Sequence, residues 1–285
     1  MIRFLLPTFF VLSFLNSAAQ ESVRGELHFV RHLISRNELK ESLFVLENME
    51  VQEASLIDSV NYYHGWIRYQ QKDLLPSAAF LLKVSFDSPL FEKSRFFASY
   101  NLAHAGQTSA ADSVLGQLRF DQSGLLFALQ NFERAGIALL RRDFDDFGKR
   151  SSLFLGYYNA FALQERNLTE YAAGLQQQPG RSAAVAGLLS AAVPGLGKVY
   201  AGKTAEGIAG FLYVGAMALT SYDFYRRSGP ANGFFIFSAT VTGIFYVGNI
   251  WGSAVAVTRK RNEFNHEMDQ RILFDMHIPL RNIFQ

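Results

Sequence analysis

Two long stretches without a charged residue stand out in the pattern of apolar and polar positions. They cover residues 207–222 and 233–257 and are 16 and 25 residues long. A helix crosses the hydrocarbon core of a membrane with roughly 17–25 mainly apolar residues. The second stretch reaches that length directly, and the first reaches it when the few polar residues at its ends are included. The pattern therefore predicts two membrane-spanning helices, at about 204–223 and 233–257.

Upstream of these stretches, apolar residues recur at intervals of three and four, which predicts amphipathic helices. The spacing is visible at Leu27, Val30, Ile34, Leu39, Leu43 and Leu46. Strict alternation and Asn-Gly turns, which would indicate strands, are missing there. The sequence predicts an all-α domain of helical hairpins over residues 20–178.

A loose internal repeat runs through this part of the chain. Residues 62–84 and 96–118 share an order of aromatic, small and polar positions, and Ala78 and Ala111 are 33 positions apart. Tetratricopeptide repeats have about 34 residues per pair of helices. The two segments resemble degenerate repeats of this kind, with Ala78 and Ala111 at the close contact within each pair. Gly65 lies one position away from the register of that family.

Two further segments, residues 29–49 and 130–154, look like weaker relatives on either side. Stacked helix pairs form a solenoid whose concave face suits peptides or helices. The resemblance therefore implies a surface that binds proteins.

The N-terminus has the composition of a secretory signal peptide. Arg3 precedes an apolar run at residues 4–15, and small residues follow at 17–19. This order predicts a signal peptide over residues 1–19, with cleavage after Ala19. An uncleaved anchor is the alternative, although twelve apolar residues are short for a membrane span. Either arrangement predicts that the helical domain is exported.

A helix stop at Pro179 and Gly180 separates this domain from a membrane module at residues 182–261, which begins with a short helix at 183–193. The module carries a spaced motif formed by Pro194, Gly195, Gly197, Tyr200, Gly202 and Gly207. With the later residues 246–253, the motif resembles a bacterial family of small membrane modules. In that family a short apolar helix leads through a glycine-rich turn into a membrane hairpin. The resemblance implies membrane residence and no reaction.

Two polar features of the module have alternative interpretations. Residues 197–204 match the phosphate-loop pattern G-x-x-x-x-G-K-[ST], but such a loop needs a strand before it and a soluble helix after it. The sequence offers neither, so a membrane turn is predicted and nucleotide binding is not.

Asn249 is the strongly polar side chain inside residues 233–257. It is predicted to hydrogen-bond to a neighbouring helix.

The tail, residues 262–285, carries an apolar stripe at helical spacing, formed by Phe264, Met268, Ile272 and Met276. Such a stripe lies on a membrane surface or packs on the protein's own helices, and the second is favoured slightly. Two crossings would leave the tail in the exported compartment, whereas counting helix 183–193 as a third would leave it in the cytoplasm. The cytoplasmic side attracts Lys and Arg. The five basic residues Lys198, Lys203 and 259–261 lie on the side of the tail, and Arg226 and Arg227 lie on the other side. The larger number on the tail side favours a cytoplasmic tail.

Composition narrows the possible functions. The net charge of +2 gives no indication of nucleic-acid binding, and the absence of cysteine excludes disulfides and thiolate metal sites. His28 and His32 have the spacing of two metal ligands, but a solvated helix face explains them better. No acid, base and nucleophile stand in a catalytic pattern, so the sequence predicts neither an enzyme nor a cofactor.

The sequence therefore predicts an exported helical-repeat scaffold at a bacterial envelope membrane, the inner membrane, with protein partners and membrane lipid. The alternative is a non-catalytic subunit of a membrane transport or insertion machine. In the aromatic run at residues 62–69, Trp66 and Tyr69 are expected in the core. Tyr62 and Arg68 are the expected partner contacts, since Tyr and Arg are enriched at binding hot spots.

Overall fold

The computed structural model describes residues 23–51, 53–156 and 158–284, without the side chains of 54 and 55. The predicted signal peptide lies outside the described residues. Within them the chain is helical and contains no strand. This confirms the all-α class predicted from the apolar spacing.

Thirteen helices follow one another in the described residues. They are α1 (23–35), α2 (Leu39–Glu47), α3 (Ala54–Gln70), α4 (Leu74–Leu81), α5 (Phe91–His104), α6 (Thr108–Gly116), α7 (Leu125–Leu140), α8 (Phe144–Ser151), α9 (Ala162–Gln176), α10 (Ala183–Ala192), α11 (Leu196–Tyr200), α12 (Thr204–Ser228) and α13 (Gly233–Phe284). In the first nine, the main packing is between consecutive helices, above all α3 on α4, α5 on α6, α4 on α5 and α7 on α8.

The chain divides into two compact units. Unit 1 contains the described residues up to Ala172 and also those from Arg271 onwards, whereas unit 2 is Ala173–Gln270. Residues 271–284, here called the C-terminal segment, are the end of the 52-residue helix α13. The predicted tail at 262–285 is therefore divided between the two units.

One turn recurs four times in unit 1. Asn37, Lys72, Gly106 and Arg142 all have left-handed φ angles, between +61° and +81°, at spacings of 35, 34 and 36 residues. In each turn the next residue donates its backbone N–H to the carbonyl five residues earlier. This is the closing bond of a Schellman motif, which ends a helix and reverses the chain. The turns join α1 to α2, α3 to α4, α5 to α6 and α7 to α8.

This recurrence corrects the register read from the sequence. Ser77 and Ala111, which are 34 residues apart, each lie five residues after their turn, so Ser77 rather than Ala78 is the counterpart of Ala111. Counted the same way, Gly65 corresponds to Ser99 and is in register. Ser77 Oγ donates to the Gly65 carbonyl at 2.6 Å, and Ser99 Oγ donates to the Ala111 carbonyl at 2.8 Å. The same helix-to-helix bond thus occurs in both hairpins, with its direction reversed.

Unit 2 has an apolar exterior. Of the described helices, α13 is the one with the length and composition to cross a membrane, and 11% of its most apolar window is buried. Its side chains at Phe234, Phe237 and Trp251 are exposed, Trp251 by 74%. A core helix of a soluble protein would bury such residues. The first predicted span, at about 204–223, corresponds to α12, whose 25 residues include Glu206, Asp223, Arg226 and Arg227.

Candidate functional site: a helix-binding face in unit 1 and a glycine turn in unit 2

The C-terminal segment lies within unit 1 through aromatic contacts. The His277 ring stacks on Tyr100 with centroids 5.0 Å apart and meets Tyr69 edge-on at 5.8 Å. Tyr69 Oη and His277 Nε2 also form a hydrogen bond. Burial raises the pKa of Tyr69 to about 12, and burial together with Arg281 lowers the pKa of His277. The contact therefore joins two neutral groups.

Two further contacts fix the segment along its length. Phe284 packs on Phe96 and Phe97 of α5, with ring centroids 5.4 Å and 6.4 Å away. Met276 crosses α7 at Gly136, where a Cβ would lie 2.5 Å from the Met276 sulfur. Gly136 therefore provides the space that the methionine side chain occupies.

Polar contacts complete the attachment. Asp275 is buried and accepts hydrogen bonds from Tyr171 Oη at 2.8 Å and from Asn167 Nδ2 at 3.1 Å. Near the end of the segment, Asn282 Nδ2 donates to the Ala160 carbonyl at 3.2 Å. Buried polar groups that are paired in this way fix the register of the segment.

Taken together, these contacts define a helix-binding face formed by α3, α5, α7 and α9. These are alternate helices, the first three of them being the first members of their hairpins. The segment buries Ile272, Met276 and Leu280 completely, whereas Phe274 points away and is 65% exposed. The apolar stripe therefore packs on the protein's own helices in this part, as the sequence analysis slightly favoured.

The position of the segment corrects the predicted topology. Tyr69 and His277 are in direct contact, so the helical hairpins and the end of the chain must lie on the same side of any membrane. An exported hairpin domain with a cytoplasmic tail is therefore wrong. If the chain spans a membrane, unit 2 crosses it an even number of times.

The aromatic run at residues 62–69 is arranged differently from its prediction. Tyr62 is 5% exposed and stacks on Trp66, so it does not present the surface that a partner contact needs. Arg68 is partly exposed and pairs with Asp73 at 3.2 Å and with Glu47 at 3.8 Å. Trp66 and Tyr69, which were expected in the core, are half-buried. Tyr69 is instead part of the helix-binding face.

In unit 2 the glycines of the predicted motif lie where backbones meet. A Cβ on Gly195 would lie 2.0 Å from the Gly207 carbonyl oxygen, and one on Gly197 would lie 1.9 Å from the Ala186 carbonyl oxygen. Gly195 also has a left-handed φ of +85°. A side chain fits at neither glycine, because the turn brings α10 and α12 into backbone contact with α11.

The other residues of the motif have separate roles. Pro194 occupies the turn after α10, and the Tyr200 hydroxyl accepts a hydrogen bond from the Ser182 N–H at 3.2 Å. Gly202 has a φ of +83° and ends the turn. Asn249 is 7% exposed and its Oδ1 lies near Gly210, but neither of its amide atoms has a hydrogen-bond partner. The predicted hydrogen bond from Asn249 is therefore not formed, and close packing on α12 takes its place.

Sequence reasoning missed a buried hydroxyl pair that joins α10 to α13. Ser190 Oγ and Ser253 Oγ are 2.7 Å apart, and Ser190 Oγ also accepts from the Gly197 N–H at 2.9 Å. The Tyr246 hydroxyl donates to the Ala191 carbonyl close by. Ser190 and Ser253 are 63 residues apart, and no local spacing marks them as partners.

The backbone N–H groups of the phosphate-loop match are not available to bind phosphate. The N–H groups of Lys198, Val199, Ala201, Gly202 and Lys203 all donate to nearby backbone carbonyls. Lys203 Nζ pairs with Glu206 at 3.2 Å. A phosphate loop needs these groups unpaired and directed at the ligand.

Other candidate chemistry is sparse in the described residues. There, no three His, Cys, Asp or Glu side chains are grouped to hold a metal ion, and His28 and His32 are exposed on α1. Glu133 is buried in α7, and burial raises its pKa well above the usual range.

Comparisons with protein-family models, with curated proteins and with solved structures found no match.

Proposed function

We propose that this protein is a membrane-anchored helical-repeat scaffold that binds other proteins at a bacterial envelope membrane. The observation that carries the proposal is the helix-binding face of unit 1, which holds a helical segment from the chain's own end. A face that buries Ile272, Met276 and Leu280 of one helix has the chemistry to bind another with the same apolar spacing.

The recurring turns support a repeat architecture. Four hairpins with the same turn at intervals of 34–36 residues are close to the period of about 34 residues in tetratricopeptide units. Alternate helices on one face are the arrangement by which such repeats present a binding surface. We regard unit 1 as four degenerate repeats of this kind, followed by α9.

The exposed apolar side chains of α13 support membrane anchoring through unit 2. With the signal-like residues 1–19, they favour an exported unit 1 and a two-span module in the inner membrane. The spans are then α12 and α13, with the connection at residues 229–232 in the cytoplasm, next to Arg226 and Arg227. In this orientation, basic residues of unit 2 lie on the exported side, although Lys and Arg tend to lie in the cytoplasm. The N-terminal segment of a chain commonly decides its orientation despite that tendency.

Peptide binding in trans tests the helix-binding face. In the full chain carrying Ile272→Asp and Met276→Asp, the segment should leave the face, because two buried apolar residues become charged. A labelled peptide of residues 265–284 should then bind this variant, whereas the wild-type chain, whose face is occupied, should bind it weakly. The peptide with the same two Asp substitutions is the matched control. Binding of the unchanged peptide to neither chain would refute the proposed face.

A module exchange separates the scaffold from a transport or insertion subunit. Residues 182–261 are replaced by an unrelated two-span hairpin, and partners are cross-linked and co-purified from membranes. A scaffold should retain its partners after this exchange, since unit 1 selects them. Loss of the partners would assign the function to the membrane module.

A further inference from the structure

Unit 2 contains a cavity whose lining includes three cationic side chains. Its volume is about 330 Å³, and it lies between the chain leading into α10 and the part of α13 that follows the uncharged run. Three of its lining residues are the cations Arg181, Lys260 and Arg261, and two are the glutamines 177 and 178. No carboxylate is among the residues that line it.

Two of these cations, Lys260 and Arg181, converge on one point of the glycine turn. A Cβ on Gly202 would lie 2.6 Å from Lys260 Nζ and 2.8 Å from Arg181 Nη1, so the two charged groups are close to each other. In the described part of the chain neither of them, nor Arg261, forms an ion pair. By contrast, neighbouring Lys203 pairs with Glu206 and Arg259 pairs with Glu263. Like charges at this spacing repel, and an anion between them would turn the repulsion into attraction.

We propose that this cavity binds a phosphate-bearing anion, with the headgroup of an anionic phospholipid as its source. Phosphate oxygens accept hydrogen bonds from guanidinium and ammonium groups together, which Arg181 and Lys260 supply at one place. The glutamine amides add neutral donors, and the absence of a side chain at Gly202 lets Lys260 and Arg181 approach this point.

The position of the cavity along α13 favours a lipid. Val257, the last residue of the uncharged run, lines the cavity together with Phe264. Lys260 follows Val257 within one helical turn, at a rise of about 1.5 Å per residue. An apolar surface therefore passes directly into a cationic one, as a lipid with a charged headgroup requires. The inference rests on the proposed membrane residence for its lipid source, but the anion chemistry stands on the cavity alone.

The test uses the full chain in nanodiscs of equal phosphatidylglycerol and phosphatidylcholine, with retained lipid counted by native mass spectrometry. Wild type should retain phosphatidylglycerol in preference to phosphatidylcholine. Arg181→Gln with Lys260→Gln should lower the retained phosphatidylglycerol by about tenfold or more, since each basic residue near the surface contributes about fivefold. Arg181→Lys with Lys260→Arg should keep it. Lys203→Gln with Arg226→Gln, which removes the same charge elsewhere in unit 2, should behave as wild type.

Inorganic phosphate identifies the source of the anion. If millimolar phosphate displaces the lipid from wild type, the site accepts phosphate from solution as well. If the lipid stays, the headgroup is the specific ligand, and both results support the proposal. Three results would overturn the proposal. The two double Gln variants could lose retained phosphatidylglycerol equally, or the charge-preserving variant could lose it. Wild type could also show no preference for phosphatidylglycerol or for inorganic phosphate. Flotation of every variant with vesicles tests membrane residence separately. A protein that does not bind membranes can therefore be distinguished from one whose cavity does not bind the anion.

Discussion

Glu133 lies in the middle of α7 as a buried carboxyl whose Oε1 has no hydrogen-bond partner. Burial raises its pKa well above the usual value. Between the unfolded pKa and this higher one, the native state binds more protons than the unfolded state, so stability falls as the pH rises. Glu133→Gln keeps the shape without the charge. We expect it to remove this pH dependence and to raise the melting temperature at mildly alkaline pH.

The measurement is the melting temperature of the full chain as a function of pH, followed by circular dichroism. Glu92→Gln, at an exposed position of α5, is the control and should leave the profile unchanged. Parallel profiles for wild type and Glu133→Gln would mean that the pKa of Glu133 does not differ between the folded and the unfolded state.

Gly65 and Gly148 form a matched pair of helical glycines. A Cβ on Gly65 would lie 2.5 Å from Leu81 Cγ, whereas a Cβ on Gly148 would meet nothing within 4 Å. We expect Gly65→Ala to destabilise unit 1 by about 1–3 kcal/mol through overpacking. Gly148→Ala should instead stabilise it by up to about 1 kcal/mol, the helix-propensity gain of Ala over Gly. Denaturant unfolding measures both, and equal effects would contradict the close contact of α3 with α4.

The helix-binding face gives a prediction at the scale of an element. Met276 and Phe274 lie on the same turn of α13, but Met276 is buried against Gly136 and Phe274 is exposed. Met276→Ala should cost about 2–5 kcal/mol and make the C-terminal segment accessible to limited proteolysis. Phe274→Ala should change stability by about 0.5 kcal/mol or less. If the two variants are cleaved equally fast, the segment is not held by the face.

Helix periodicity was sufficient to predict the main elements of the chain. The spacing of Leu27, Val30 and Ile34 predicted α1, and the glycine motif predicted a turn. In the structure, Gly195 and Gly197 lie at the backbone contacts of that turn. These features depend on neighbours within a few residues, or on glycine's unique lack of a side chain, and both are visible locally.

Three features depended on contacts distant in sequence and were missed or misplaced. The pairing of Ser190 with Ser253 and the docking of His277 on Tyr100 join residues that no local pattern connects. The burial of Tyr62 depends on which side of α3 its neighbours occupy. The repeat register was shifted by one because adjacent Ser77 and Ala78 are both small and both buried. The left-handed turn that distinguishes them lies at Lys72, a residue type that gives no signal for such a turn.

At the scale of the whole molecule, the natural absence of cysteine makes topology directly measurable. Single cysteines at Gly25, Ser228 and Phe274 are all at exposed positions. A membrane-impermeant maleimide applied to intact cells with a permeabilised outer membrane should label positions 25 and 274. Position 228, the last residue of α12, should react only after the inner membrane is opened.

Each alternative has its own labelling pattern. Labelling of 25 without 274 would place the two ends of unit 1 on opposite sides and contradict their contact. Equal labelling of all three positions would mean that unit 2 does not cross the membrane. Labelling of 228 alone would place unit 1 in the cytoplasm and refute the proposed export.

The C-terminal segment also sets the order in which unit 1 is completed. Residues 271–284 come after α12 and the rest of α13 in the chain, so the helix-binding face stays uncovered until unit 2 has been synthesised. While the segment is absent or held away, Phe96, Phe97 and the surface around Gly136 are uncovered. Uncovered apolar surface of this kind makes a chain a target for chaperones and proteases. The folding of the first domain is therefore coupled to the synthesis of the unit that follows it.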